Sequence, residues 1–140
     1  MTKISGGCLC GAVRYEGECE PQLMDDCYCV DCRKSSGTAH CSHMGVPLEA
    51  MTLSGEVSSF DKPADSGNIV SRSFCPNCGS AVFSTNSGMV GFLFIRASSL
   101  DNPEIYSPQL SVYNSRSPSW GRIDQSAPSF EAMPPNAPGT

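Results

Sequence analysis

No stretch of about 18 consecutive apolar residues occurs in this 140-residue chain, so no segment reads as a membrane-spanning helix. The N-terminus, MTKISGGCLCGA, lacks the apolar core of a signal peptide, and a cytoplasmic location is the expectation. Basic residues are few and scattered, 9 against 14 acidic ones, for a formal charge of −5. Without a Lys/Arg run there is no patch to follow a phosphate backbone, and nucleic acid is excluded as an expected partner. A sustained 3.6-residue hydrophobic period is missing as well, which argues against a helix-dominated fold. Internal repeats and linkers are absent. One domain is expected over residues 1–133, followed by a loose, Pro-rich tail at 134–140.

What is present is a series of short, turn-bounded runs with strand character. AVRYEG (12–17) alternates Val13 and Tyr15 against Ala12 and Arg14. Further runs lie at 38–46, 51–55, 57–61, 68–74, 75–85 and 91–100, and at 105–114 with a break at Pro108. Strands of this length, separated by Gly, Pro, Ser and Asp, predict a mostly β domain. Helical turns are expected only at CRKSSG (32–37), ending at Gly37, and at SSLDNPEI (98–105). From about residue 115 the chain is rich in Pro, Ser and Gly, with Trp120 and Phe130 as expected apolar anchors. Such a domain buries a modest core, and metal ligation would add folding free energy.

Nine cysteines are many for this length, and the number is odd. A reducing cytosol does not keep disulfides, and CxC and CxxC are ligand spacings. FCPNCGS sets Cys75 and Cys78 around a tight turn, a zinc-knuckle pattern supplying two of the four ligands of a tetrahedral site. GGCLCGAV offers the complement: in extended backbone Cys8 and Cys10 share a face, and the flanking glycines let the chain bend around an ion. The remaining close-spaced set is the CxCxxC of Cys27, Cys29 and Cys32. Three protein ligands with an open position is the pattern of catalytic zinc, whereas a fourth ligand, with Cys41 the candidate, would make the site structural. On a strand, Cys41 and His43 would share a face and His40 would point the other way. Seven zinc-bound thiolates and two zinc ions would bring the net charge to about −8, a further argument against a polyanionic partner.

The motifs GGCLCGAVRYEG, CYCVDCRKSSG and SFCPNCGSAVF, in this order, and the tail SPSWGRIDQSAPSFE resemble the family of glutathione-dependent formaldehyde-activating enzymes, which includes centromere protein V. The resemblance covers roughly residues 6 to 131. It implies an Mss4-like fold of several coiled, mostly antiparallel sheets stapled by zinc. It also implies two zinc ions, a structural one on Cys8, Cys10, Cys75 and Cys78 and a catalytic one on Cys27, Cys29 and Cys32. The implied activity is that of a carbon–sulfur lyase making S-hydroxymethylglutathione from glutathione and formaldehyde, with a small thiol as the partner. The sequence departs from the family at Tyr28, where histidine is common; a tyrosine keeps a hydroxyl but titrates far above neutral pH.

A thiolate-held zinc suits a soft fourth ligand such as a substrate thiol. Proton-transfer candidates are His43, His40 and Asp31, each with a plain packing, surface or turn-capping role as the alternative. Arg33 and Lys34 could meet a substrate carboxylate or be solvated charge, and Arg72 and Arg96 could be edge residues with charged tips in water. The competing class is a non-enzymatic, zinc-stapled protein-binding module.

Overall fold

The computed structural model describes residues 1–135. It is mostly β, as the turn-bounded runs predict: ten strands in two sheets and one short α-helix. The smaller sheet has the order β1-β2-β5, built from Thr2–Gly7 (β1), Arg14–Cys19 (β2) and Met51–Ser54 (β5), all antiparallel. The larger has seven strands in the order β10-β3-β4-β9-β8-β7-β6. These are Leu23–Cys27 (β3), Cys41–Pro47 (β4), Ser58–Pro63 (β6), Ile69–Phe74 (β7), Ala81–Asn86 (β8), Phe92–Arg96 (β9) and Leu110–Val112 (β10). Its pairings are antiparallel except β10 on β3, which is parallel. Among the described residues, no helix is long and apolar enough to cross a membrane.

The period of two decides the two faces of the large sheet. Met44 and Val46 of β4, Leu93 and Ile95 of β9 and Phe83 of β8 are buried, and they meet Ile4, Tyr15 and Met51 of the small sheet in one apolar core; a register shift in the β7–β8 pairing turns Val82 into the same core. Each of these side chains contributes roughly 1.5–3 kcal/mol of burial free energy. The alternate residues, among them Asp25, Cys27, His43, Phe94, Ser84 and Arg72, line a cleft on the other face. The large sheet curls until β6 meets the helix, where Lys62 Nζ donates to both carboxylate oxygens of Asp31 at 2.8 and 2.9 Å.

Several local expectations are corrected. The helix, α1, is Val30–Ser36; it begins before Cys32 because Cys29 is its N-cap, the Sγ accepting the Cys32 N–H at 3.3 Å. It ends at Gly37, in the left-handed conformation that glycine adopts without penalty. Cys8 and Cys10 lie in the turn between β1 and β2 rather than in extended backbone. The run at 105–114 forms only the three-residue β10, and 98–105 contains two 3-10 turns, Ala97–Ser99 and Pro103–Ile105. Trp120 is not a core anchor: 61% of its surface is exposed, because the turn at 118–121 lifts it off the domain. Phe130 does pack, against the apolar cluster around Cys27, Cys32 and Val112. Of the expected tail, Pro134 stands against the cleft, and residues 136–140 lie outside the described residues.

Candidate metal centres and active site

Two hairpin turns meet at the first cysteine group. Cys8 and Cys10 come from the β1–β2 turn, Cys75 and Cys78 from the β7–β8 turn, so the group ties the small sheet to the large one. The turns are built to present sulfur. Cys8 N–H donates to the Val13 carbonyl, and the Val13 N–H returns to Cys8 Sγ at 3.2 Å. Gly79 N–H closes the second turn on the Cys75 carbonyl at 2.8 Å, with Gly79 at φ +78°. Asn77 Nδ2 donates to Cys10 Sγ at 3.3 Å. Hydrogen bonds from the Ser80 hydroxyl and backbone hold the Cys78 thiol down to about 5, and the Val13 N–H lowers Cys8. Burial and the neighbouring thiols outweigh the backbone donors at Cys75 and push it up to about 11. One turn thus offers a ready thiolate beside a thiol that shares protons with its neighbours.

The second group gathers Cys27 at the end of β3, Cys29 at the helix cap and Cys32 in the first turn of α1. Each supplies one sulfur to a common point from a six-residue span. The three thiols share protons: hydrogen bonds from Cys27 and Cys29 hold Cys32 well below its ordinary value, and the same bonds, with burial, push Cys27 up. The group stands in the wall of a cleft of about 610 Å³, within the size range of small-molecule sites. His43 lines the same cleft, with Nδ1 3.6 Å from Asp25 Oδ2. Burial acts to depress the imidazole, but the Cys41 side chain, Asp25 and Cys32 beside it outweigh burial and hold it well above its ordinary value. Tyr113, which lines the cleft and packs against the cluster of Cys27, Cys32 and Val112, is the one non-glycine residue among those described with positive φ, at 57°. Its ring carries the Arg116 guanidinium at 5.1 Å.

The sulfur geometry fits zinc. A tetrahedron with zinc–sulfur bonds of 2.3 Å has edges of about 3.8 Å. Cys8 and Cys10 sulfurs are 3.6 Å apart, and Cys10 and Cys75 sulfurs 3.7 Å. All ligand atoms of each group lie within 4.8 Å of one another. Two cysteine clusters, one of four thiols and one of three, can therefore hold zinc. Cys41 is the cross-strand partner of Cys27 and is buried beside it, yet it is not among the converging sulfurs; its own Sγ contacts the Ser42 carbonyl at 3.9 Å. Cys19 lies in the other core.

A family model described as glutathione-dependent formaldehyde-activating enzyme matches residues 3–116. The chain belongs to that family. Among solved structures it is similar to the crystal structure of a Rhodobacter sphaeroides protein, at 16% identity and a TM-score of 0.58, over 90% of this chain and 98% of that one. At that identity the likeness is one of fold.

In this member of the formaldehyde-activating family, the three proton-transfer candidates part company. His43 stands at the sulfurs. Asp31 lines the same cleft but is engaged by Lys62 rather than capping a turn. His40 is not brought to the sulfurs: it lines a second cleft, with Nε2 3.8 Å from Asp26 Oδ1. That buried carboxylate accepts from Ser42 and Tyr106 hydroxyls, both at 2.7 Å. Tyr28 is fully buried and outside the metal cleft; its phenol donates to the Arg122 carbonyl at 2.8 Å, and its ring lies 4.9 Å from His40. The tyrosine at the family's histidine position therefore packs the C-terminal segment. Arg33 and Lys34 do not line the cleft, and Arg96 is buried, donating to Ser35 Oγ at 3.1 Å. Sequence reasoning missed Asp25, Lys62, Tyr113 and Arg116. Asp25 carried a signal, since it is two residues before Cys27 on a strand and must share its face. Lys62 reaches the cleft only through the curl of the sheet, and Tyr113 and Arg116 through the parallel pairing of β10 on β3.

Proposed function

We propose that the protein is a zinc enzyme that adds a small thiol to an aldehyde, forming S-hydroxymethylglutathione from glutathione and formaldehyde and cleaving it in reverse. The domain of residues 1–133 would carry a structural zinc on Cys8, Cys10, Cys75 and Cys78 and a catalytic one on Cys27, Cys29 and Cys32. The observation that carries this reading is the three-sulfur group opening on a small-molecule cleft instead of a fourth cysteine.

A zinc ion held there would supply a thiophilic Lewis acid that favours the thiolate form of a bound thiol. The substrate sulfur attacks the carbonyl carbon, one carbon–sulfur bond forms, and the carbonyl π pair moves to oxygen. No electrons are exchanged with a second substrate. The thiol proton has to reach that oxygen, and His43, oriented by Asp25, is the group in the cleft suited to carry it. The apolar walls given by Val112, Phe94 and Met133 keep bulk water from the adduct.

Exchange between free formaldehyde and the glutathione adduct, followed by carbon-13 exchange spectroscopy on protein carrying two zinc ions, tests the reading, because the uncatalysed reaction sets a clear baseline. Acceleration over that baseline is expected, and His43→Asn should lose about 10²–10⁴-fold of it. Zinc-replete protein without acceleration would favour the binding-module alternative.

A further inference from the structure

We propose that Arg72 is the specificity-determining residue of the cleft and that it receives a carboxylate of the thiol substrate. The inference rests on the thiol-binding reading above and extends it to the other end of the ligand.

The cleft is lined by three carboxylates, and each has a cation of its own. Asp31 holds Lys62 at 2.8 Å, Asp65 holds Arg116 at 2.9 Å, and Asp25 stands 3.6 Å from His43. Arg72 is left over. Among the described residues its guanidinium has neither an ion pair nor a hydrogen bond, although it is half-buried in the cleft wall. Register explains the placement: Arg72 of β7 lies between Phe60 of β6 and Ser84 of β8, on the face that carries Phe94 and the metal-binding sulfur of Cys27. Its neighbours across the strands are thus an aromatic ring and a hydroxyl, not a counter-charge.

A cation withdrawn from water without a partner is unfavourable, and a ligand that brings the missing charge recovers the loss. Guanidinium is a planar fork of donors that matches a carboxylate in two parallel hydrogen bonds. Because the sulfurs and Arg72 lie in the walls of one cleft, a thiol with a distant carboxylate satisfies both. A neutral thiol satisfies only the sulfur end.

The test uses the full chain with cobalt(II) in place of zinc, whose visible spectrum reports ligand change at the metal. Titration with glutathione and with its diethyl ester is expected to give at least tenfold tighter binding of the free acid. In Arg72→Gln that difference should vanish while affinity for the ester is kept, and Arg72→Lys should restore part of it. An undiminished preference in Arg72→Gln overturns the proposal and leaves the thiol reading standing. Should no thiol change the wild-type spectrum, the thiol reading fails. Calorimetry with S-methylglutathione, which has the carboxylates but no thiol, then decides on Arg72: binding lost in the diester supports the carboxylate role, and no binding overturns it. That measurement on wild-type protein also stands if Arg72→Gln does not fold.

Discussion

The Oγ of Ser80 lies 3.2 Å from the Sγ of Cys78 while accepting the Leu9 N–H, also at 3.2 Å. With its acceptor side occupied by backbone, the hydroxyl turns its proton to the sulfur. That one contact links the β1–β2 turn to the β7–β8 turn and gives the four-sulfur group its most acidic thiol.

Cys78 titrates near 5, below its ordinary value, so its thiolate is present at neutral pH and is lost as pH falls through about 5. Protons compete with metal for thiolates, so zinc leaves this group in the same direction. Ser80→Ala removes the donor, raises the thiol pKa and should move the midpoint of acid-induced zinc release up by about half a pH unit or more. A chromogenic zinc chelator followed through a pH titration reads this directly; an unchanged midpoint contradicts the assigned hydrogen bond.

Cys75→Ser should prevent stable folding. A structural zinc in small domains contributes about 10–16 kcal/mol of apparent binding free energy, comparable to or above the whole stability of a domain at about 5–15 kcal/mol. No single core side chain here approaches that. Zinc content and a thermal melt check it, and full zinc with an unshifted melt would reject the ligand assignment.

Cys29→Ser and Cys29→Ala should differ in an informative way. Both remove a sulfur from the three-thiol group and should cost one zinc equivalent while most of the fold survives. Serine still caps α1 through its oxygen, whereas alanine also loses the cap that Cys29 Sγ provides, about 0.5–2 kcal/mol. Denaturant unfolding of the two variants should therefore rank serine above alanine. Global unfolding of the serine variant would mean that the second group is structural too.

Trp120→Ala should leave stability within about 0.5 kcal/mol of wild type, since the indole stands in solvent. A large loss on thermal melting would place the ring in an assembly surface.

The β character was legible because alternation is local: Tyr15 in β2 and Val13 just ahead of it are both buried, as the sequence pattern implies. The opposite facing of Asp25, which lines the metal cleft beside His43, and Asp26, which pairs with His40, follows from the same rule. Cys8 and Cys10 differ from the extended expectation because CxC reads equally as strand or turn, and the hydrogen bonds between Cys8 and Val13, five residues on, close the turn. Trp120 was misjudged because size alone suggests burial, while the Pro-rich segment around it makes no sheet that would cover it.

Composition, the period of two and the spacing of the cysteine pairs determined a mostly β chain with sulfur turns aimed at metal. These depend on residues within a few positions of one another. Tertiary structure decided that Cys10 and Cys75, distant in sequence, stand 3.7 Å apart, and that Lys62 closes the cleft against Asp31. It also left Arg72 without a counter-charge among the described residues of that cleft. Those relationships arise from strand order, register and curl, which are set by burying one face of the large sheet against the small one; no local stretch of sequence carries them.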